Sequence, residues 1–221
     1  MLLNGIKKES PKSREMLQIS IDMLHELLHN IGHIITCKYD RIMYKAILLL
    51  QYHTCARIGE LVTSGKNTEN VLRLDQLIFT HGSVKNSPTM VVDFLYYKHS
   101  QDSSESITIP SFHSIFCPVS SVKSYLLMRG RKPGLLFMNS AFKPVTRTEV
   151  SKVLDMLLIA AGYENTRYDT HGLRRGRASQ AAADGWSDCQ IQRLGRWKSM
   201  AFKKYLKGTV FASKSYRYER T

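Results

Sequence analysis

Between Val71 and Pro110 the chain reads as β-structure, and on either side of that stretch it reads as helix. The segments LDQLIFT, TMVVDFLYY and ESITIP are rich in β-formers and are separated by clusters of Gly, Asn, Ser and Asp. That is the pattern of three short antiparallel strands, with His99 to Ser104 as a polar hairpin loop. The expected class is therefore α+β: a mainly helical domain carrying a small three-stranded antiparallel sheet.

The helical parts are punctuated by caps and stops. Ser20 can cap a helix running to about Asn30, with Gly32 as its stop. A second helix from about Asp40 to His53 puts Ile42, Ala46, Leu49 and Leu50 on one face. A short turn or helix then carries Ala56-Arg57-Ile58-Gly59-Glu60-Leu61. After the strands, Pro118 suits a first helical position and Gly130 a stop. Thr146 with Glu149 reads as a capping box for a helix that Gly162 ends, and Ser187 with Gln190 as another, closed by Gly195. Between them His171 to about Asp184 is Ala-rich and suited to close packing, and a last helix begins near Ser199 and holds Tyr205. Residues 1–18 are polar, basic and contain Pro11, so they read as a linker or tail, with one domain over residues 19–221.

Charge narrows the partners. Thirty-two Lys and Arg against 18 Asp and Glu leave a net +14, which calls for a polyanion, nucleic acid before an anionic membrane surface. The last 81 positions hold 16 basic and 7 acidic side chains, a net +9, so the polyanion-facing surface is expected in the C-terminal third. Cys37, Cys55, Cys117 and Cys189 are far apart and form no CxxC pair, which fits a reducing compartment. The N-terminal residues lack an apolar stretch long enough for a signal peptide, and apolar runs such as Ala46 to Leu50 are too short to span a bilayer. A soluble intracellular protein is expected, nuclear if the source is eukaryotic.

The segment Tyr168-Asp169-Thr170-His171-Gly172-Leu173-Arg174-Arg175-Gly176 carries the strongest chemical signal. His171 and Arg174 are three apart at a helix start, so both project from one face beside free N–H groups and a partial positive charge. That places a proton-transfer group next to a phosphate site; the plainer reading is a basic surface at a helix start. His25, His29 and His33 are spaced four apart, but no further ligand completes a metal set and Gly32 should end the helix first. There is no paired-carboxylate cluster for two-metal chemistry and no P-loop.

Two further segments complete a pattern: Ala56-Arg57-Ile58-Gly59-Glu60-Leu61 upstream, and Leu194-Gly195-Arg196-Trp197-Lys198-Ser199-Met200-Ala201-Phe202-Lys203-Lys204-Tyr205-Leu206 downstream. From about residue 20 onward the chain resembles the tyrosine recombinase (phage integrase) family. That family has an Arg-x-x-Glu box, a β-hairpin lysine, a His-x-x-Arg box, a His or Trp, and a tyrosine, in that order. The wording around Leu194 to Leu206 looks especially like recombinases of eukaryotic crypton-type mobile elements.

The resemblance implies DNA strand cleavage and rejoining through a 3′-phosphotyrosine, with double-stranded DNA as partner, a homo-oligomer assembled on it, and no metal or small-molecule cofactor. Tyr205 would be the nucleophile, with Tyr216 and Tyr218 the lesser choices. Arg57 and Arg174 would fork onto the non-bridging oxygens, where one lost donor commonly costs about 10²–10³ in rate. His171 would take the phenol proton, and Lys98, or alternatively Lys85, would protonate the leaving 5′-oxygen. Trp197 would donate its N–H to a phosphate oxygen or brace the site. Glu60 would orient Arg57. Arg175, Arg177, Arg196 and Lys198 are the expected further DNA contacts.

Departures from the family bear on this reading. Only about 20 residues precede the first catalytic-domain helix, so the N-terminal DNA-binding domain of full recombinases is expected to be absent. The gap from Trp197 to Tyr205 looks one residue short, which leaves Arg196 as the other occupant of the phosphate-facing slot. Two other functions stay open: a domesticated protein that binds DNA without cutting it, and a relaxing enzyme like the type IB topoisomerases.

Overall fold

A computed structural model describes residues 16–65, 68–82, 87–95 and 104–206. Helix α1 (Ile21–His29) begins where Ser20 Oγ accepts from the Met23 amide at 3.2 Å. It buries Met23, Leu24, Leu27 and Leu28 along one stripe. It ends at Asn30, and the chain passes through Gly32 in a second short helix, α2 (Ile31–Ile34), where a stop was expected. Helix α3 (Lys38–His53) starts two residues before the expected Asp40. Met43 and Tyr44 and the whole run Ala46–Tyr52 are buried, so the C-terminal half of α3 is enclosed nearly all round and forms the centre of the core. It packs against α5 (Pro118–Arg129) on one side and α7 (Thr170–Ala183) on the other. Between α3 and the sheet lies the single-turn helix α4 (Ile58–Leu61).

The sheet is β1 (Leu77–Phe79), β2 (Thr89–Phe94) and β3 (Glu105–Pro110), antiparallel in the order β1-β2-β3. Leu77 pairs with Val92, and Val91 with Thr108. Met90, Val92 and Phe94 alternate inward, as a one-sided sheet requires. The first strand is shorter than the sequence suggests. Leu74–Gln76 instead form a 3₁₀ turn, because the Gln76 side chain accepts from the Arg73 amide at 2.7 Å and donates to Asp93 O at 2.9 Å. Of the expected hairpin loop, only Ser104 lies among the described residues.

The C-terminal helices follow their caps. Gly130 ends α5 at φ 78°. Thr146 and Glu149 close a capping box on α6 (Arg147–Ala160), and Ser187 and Gln190 another on α8 (Asp188–Gly195). Asp169 caps α7 by accepting from the Gly172 amide at 2.9 Å. Past Ser199 the expected single helix is instead a 3₁₀ turn (Met200–Phe202) leading into the short α9 (Lys203–Leu206).

Residues 17–19 lie against α7. The Leu17 amide donates to Arg167 O at 2.8 Å and the Ile19 amide to Gly172 O at 3.0 Å. A Cβ at Gly176 would stand 1.7 Å from Ile19 O, so only glycine allows this approach. Ile19 is fully buried there.

Candidate active site

The site starts where α3 ends. Cys55 turns the chain at φ 51°, and Arg57 then takes the N-cap position of α4. Glu60, one turn along, reaches back: its Oε2 accepts from the Arg57 amide and its Oε1 from Arg57 Nη1, both at 2.9 Å. This is the capping-box arrangement with an arginine in place of the usual hydroxyl residue. Glu60 is buried at 5% exposure, whereas the Arg57 side chain keeps 23% of its surface open. Burial pushes the Glu60 carboxyl up, but Arg196, Arg174, Arg57 and the Arg57 amide outweigh it and hold it below the ordinary carboxylate range.

Arg174 enters the same cluster from the second turn of α7. Its guanidinium donates to Cys55 O and Gly195 O, and is 2% exposed. Burial depresses its pKa, and Arg57 and Arg196 act in the same direction against Cys55 and Glu60. Arg57 and Arg174, 117 positions apart in the chain, are thus close enough to act on each other electrostatically. Cys55 itself is fully buried and its thiol donates to Arg174 O at 3.5 Å, a packing role.

His171 sits half-buried in the first turn of α7. Burial lowers its pKa below 6.5; Asp169 opposes this, while Arg175, Arg174 and Arg147 add to it. The imidazole is therefore neutral near pH 7 and can accept a proton.

Trp197 joins the cluster to the C-terminal turn. Its indole lies 4.2 Å from the Arg174 guanidinium, 5.5 Å from Phe202 and 6.1 Å from Tyr205. It fits so closely on α8 that a Cβ at Gly195 would stand 1.8 Å from the ring. Tyr205 is half-buried on α9, and its carbonyl accepts from Ser179 Oγ at 3.2 Å. Ser179 is fully buried on α7, so it ties α9 to the helix that carries His171 and Arg174. Nothing local in the sequence marks Ser179 for this role.

The four residues expected to make further DNA contacts differ in their placement. Lys198 is exposed. Arg175 donates to Asp169 at 2.7 Å and to Leu17 O at 2.8 Å. Arg177 lies 3.9 Å from Asp184 and 5.1 Å over Trp186. Arg196 is the correction. Its side chain has no exposed surface, lies 3.9 Å over Phe94, and gives Nη2 to Glu60 Oε2 at 2.6 Å. It takes φ 53° at the C-cap of α8, which turns the side chain inward toward α4.

Lys98, Lys85, Tyr216 and Tyr218 lie outside the described residues. His25, His29 and His33 do not converge: His25 stacks on Phe116 and His29 meets the same ring edge-on. No three His, Cys, Asp or Glu side chains gather as a metal site among the described residues. Nor is any helix among them long and apolar enough to cross a membrane.

The same architecture occurs in solved recombinases. The XerH site-specific recombinase bound to its difH substrate superposes with a TM-score of 0.66 over 87% of this chain and 50% of that one, at 17% identity. The XerA recombinase gives 0.61 over 90% and 61%, also at 17% identity. A lambda integrase dimer bound to a COC′ core site gives 0.58 over 94% and 53%, at 14% identity. The chain therefore spans about half to three-fifths of the length of these structures. No curated protein sequence matches it. The model of the phage integrase family matches residues 21–207, nearly the whole described chain, and the protein belongs to that family.

Proposed function

We propose that this chain breaks and rejoins double-stranded DNA through a 3′-phosphotyrosine on Tyr205. The observation that carries the reading is that Arg57, bonded to Glu60, shares one charge cluster with Arg174, and that Tyr205 lies beyond the Trp197 ring that Arg174 stacks on. Tyr205 Oη attacks the scissile phosphorus, and the P–O5′ bond breaks. The phenol proton passes to His171, and the leaving 5′-oxygen takes a proton from Lys98, with Lys85 the other choice. Arg57, the partly open guanidinium, donates to the non-bridging oxygens, and the buried Arg174 adds its positive charge behind it. The phosphotyrosine keeps the energy of the broken diester. A 5′-hydroxyl, from the same or a second strand, then displaces the tyrosine with the proton transfers reversed.

The net charge of +14 supports duplex DNA as substrate. The family and the DNA-bound recombinases of like fold support recombination or integration, with several copies assembled on DNA. The run Leu194 to Leu206 supports a crypton-type mobile element, hence a nuclear site of action in a eukaryote.

The test uses a pool of duplexes with randomised flanks, each nicked just 3′ of a phosphodiester so that cleavage releases a short strand. The wild type is expected to form a denaturant-stable protein–DNA adduct, and Tyr205→Phe none. No adduct in either, with binding that still falls steeply with salt, overturns the catalytic reading in favour of a DNA-binding protein.

A further inference from the structure

We infer that Arg196 is a positioning residue for Arg57, acting through Glu60, which deepens the strand-transfer reading and rests on it. Glu60 divides its carboxylate between two guanidinium groups: Oε1 receives Arg57 Nη1 and Oε2 receives Arg196 Nη2, at 2.9 and 2.6 Å. Arg57 keeps part of its surface open, while Arg196 has none. The two arginines therefore do different things. One presents donors outward, and the other is sealed beneath the carboxylate that aims it.

Charge gives the reason for the second arginine. Without Arg196, Glu60 would cancel one of the two charges of Arg57 and Arg174 and leave a net +1. With Arg57, Arg174 and Arg196 around one carboxylate, the cluster carries a net +2. A phosphodiester brings one negative charge, and its five-coordinate transition state approaches two. Arg196 thus neutralises Glu60 from behind and leaves Arg57 charged at the front.

The backbone supports this assignment. A left-handed C-cap residue is ordinarily glycine, and a side chain there crowds the backbone. Arg196 nevertheless adopts φ 53° at the end of α8. Its guanidinium also lies 3.9 Å over Phe94 of β2 and donates to Thr54 O at 3.3 Å. Strand, helix ends and carboxylate all converge on it.

The experiment is a double-mutant cycle on the nicked duplex pool, with Arg196→Gln, Arg196→Lys, Arg196→Gly, Arg57→Ala and Arg57→Ala/Arg196→Gln, each checked for folding by thermal unfolding. Arg196→Gly fits the left-handed backbone but removes the whole buried side chain, whereas Arg196→Gln keeps a side chain of similar reach and loses the charge, so the two together separate strain from charge. Arg196→Gln and Arg196→Gly are expected to slow single-turnover adduct formation about 10²-fold. Arg196→Lys should recover to within about tenfold of wild type, because it restores a cation. In the Arg57→Ala background, Arg196→Gln should cost less than about threefold more. Full additivity with Arg57→Ala, or a folded Arg196→Gly within about threefold of wild type, overturns the inference. If the wild type itself forms no adduct, the strand-transfer reading fails separately. The same cycle is then read in duplex affinity at fixed salt, where non-additive losses support the coupling and additive ones refute it.

Discussion

The guanidinium of Arg174 lies 4.2 Å over the indole of Trp197, and the same indole also meets the rings of Phe202 and Tyr205. Trp197 is thus the wall between the arginine cluster and the turn that carries Tyr205, the proposed nucleophile. A flat ring suffices for that wall, whereas a phosphate contact would need the indole N–H. Trp197→Phe is accordingly expected to retain adduct formation within about fivefold, and Trp197→Ala to lose about 10²-fold. Trp197→Ala should also lower stability by about 2–3 kcal/mol, somewhat below the range for a fully buried aromatic. Equal losses in Trp197→Phe and Trp197→Ala would assign the N–H to the phosphate instead.

His171 sets an acid limit. Burial and its arginine neighbours hold its pKa below 6.5, so it stays neutral, and competent as a base, through neutral pH. Adduct formation should be flat as pH falls from 8 to about 6.5. Below its own pKa it should fall about tenfold per pH unit. A single-turnover acid limb centred above pH 6.5 would remove His171 as the base.

Acid should also weaken the fold through His53. Burial first, then Arg177 and His25, push its pKa down to about 3. Unfolded, the same imidazole takes a proton near pH ~6.5. Between those values the unfolded chain holds a proton that the folded chain refuses. Stability from this group is therefore complete above about 6.5 and lost as pH falls toward 3, by at most about 1.4 kcal/mol per unit. Glu60, held low in the fold, contributes stability that is fully present above the ordinary carboxylate pKa of about 4.3 and is lost as pH falls below it. Urea unfolding at pH 7, 6 and 5 checks the His53 part: His53→Gln should flatten the decline, and an unchanged slope would contradict it.

Gly176→Ala should destabilise the protein by about 1–3 kcal/mol, because its methyl would stand 1.7 Å from the Ile19 carbonyl. Thermal unfolding reads this, and a change under about 0.5 kcal/mol would mean that residues 17–19 leave α7 at little cost.

These features differ in how far the sequence announces them. Caps are local, so Ser20, Thr146 with Glu149 and Ser187 with Gln190 can be read from three or four adjacent positions. The alternation of Met90, Val92 and Phe94 is local too. The extent of β1 is not, because Gln76 makes its 3₁₀ turn by bonding across to Asp93. The docking of Leu17 and Ile19 depends on Arg167 and Gly172, about 150 positions away. Arg196 is the most instructive case. Its position between Gly195 and Trp197 leaves two residues competing for one slot, and only the left-handed turn sends Arg196 inward to Glu60 and leaves Trp197 on Arg174. Spacing orders the boxes, but it cannot tell which guanidinium faces water.

Proteolysis of the trapped adduct, followed by mass spectrometry of the nucleotide-bearing peptide, tests whether Tyr205 is the residue joined to DNA. The phosphonucleotide should be found on Tyr205 and nowhere else. A nucleotide on Tyr216 or Tyr218, or on any residue away from the Trp197 wall, would contradict the assignment and the site built around it.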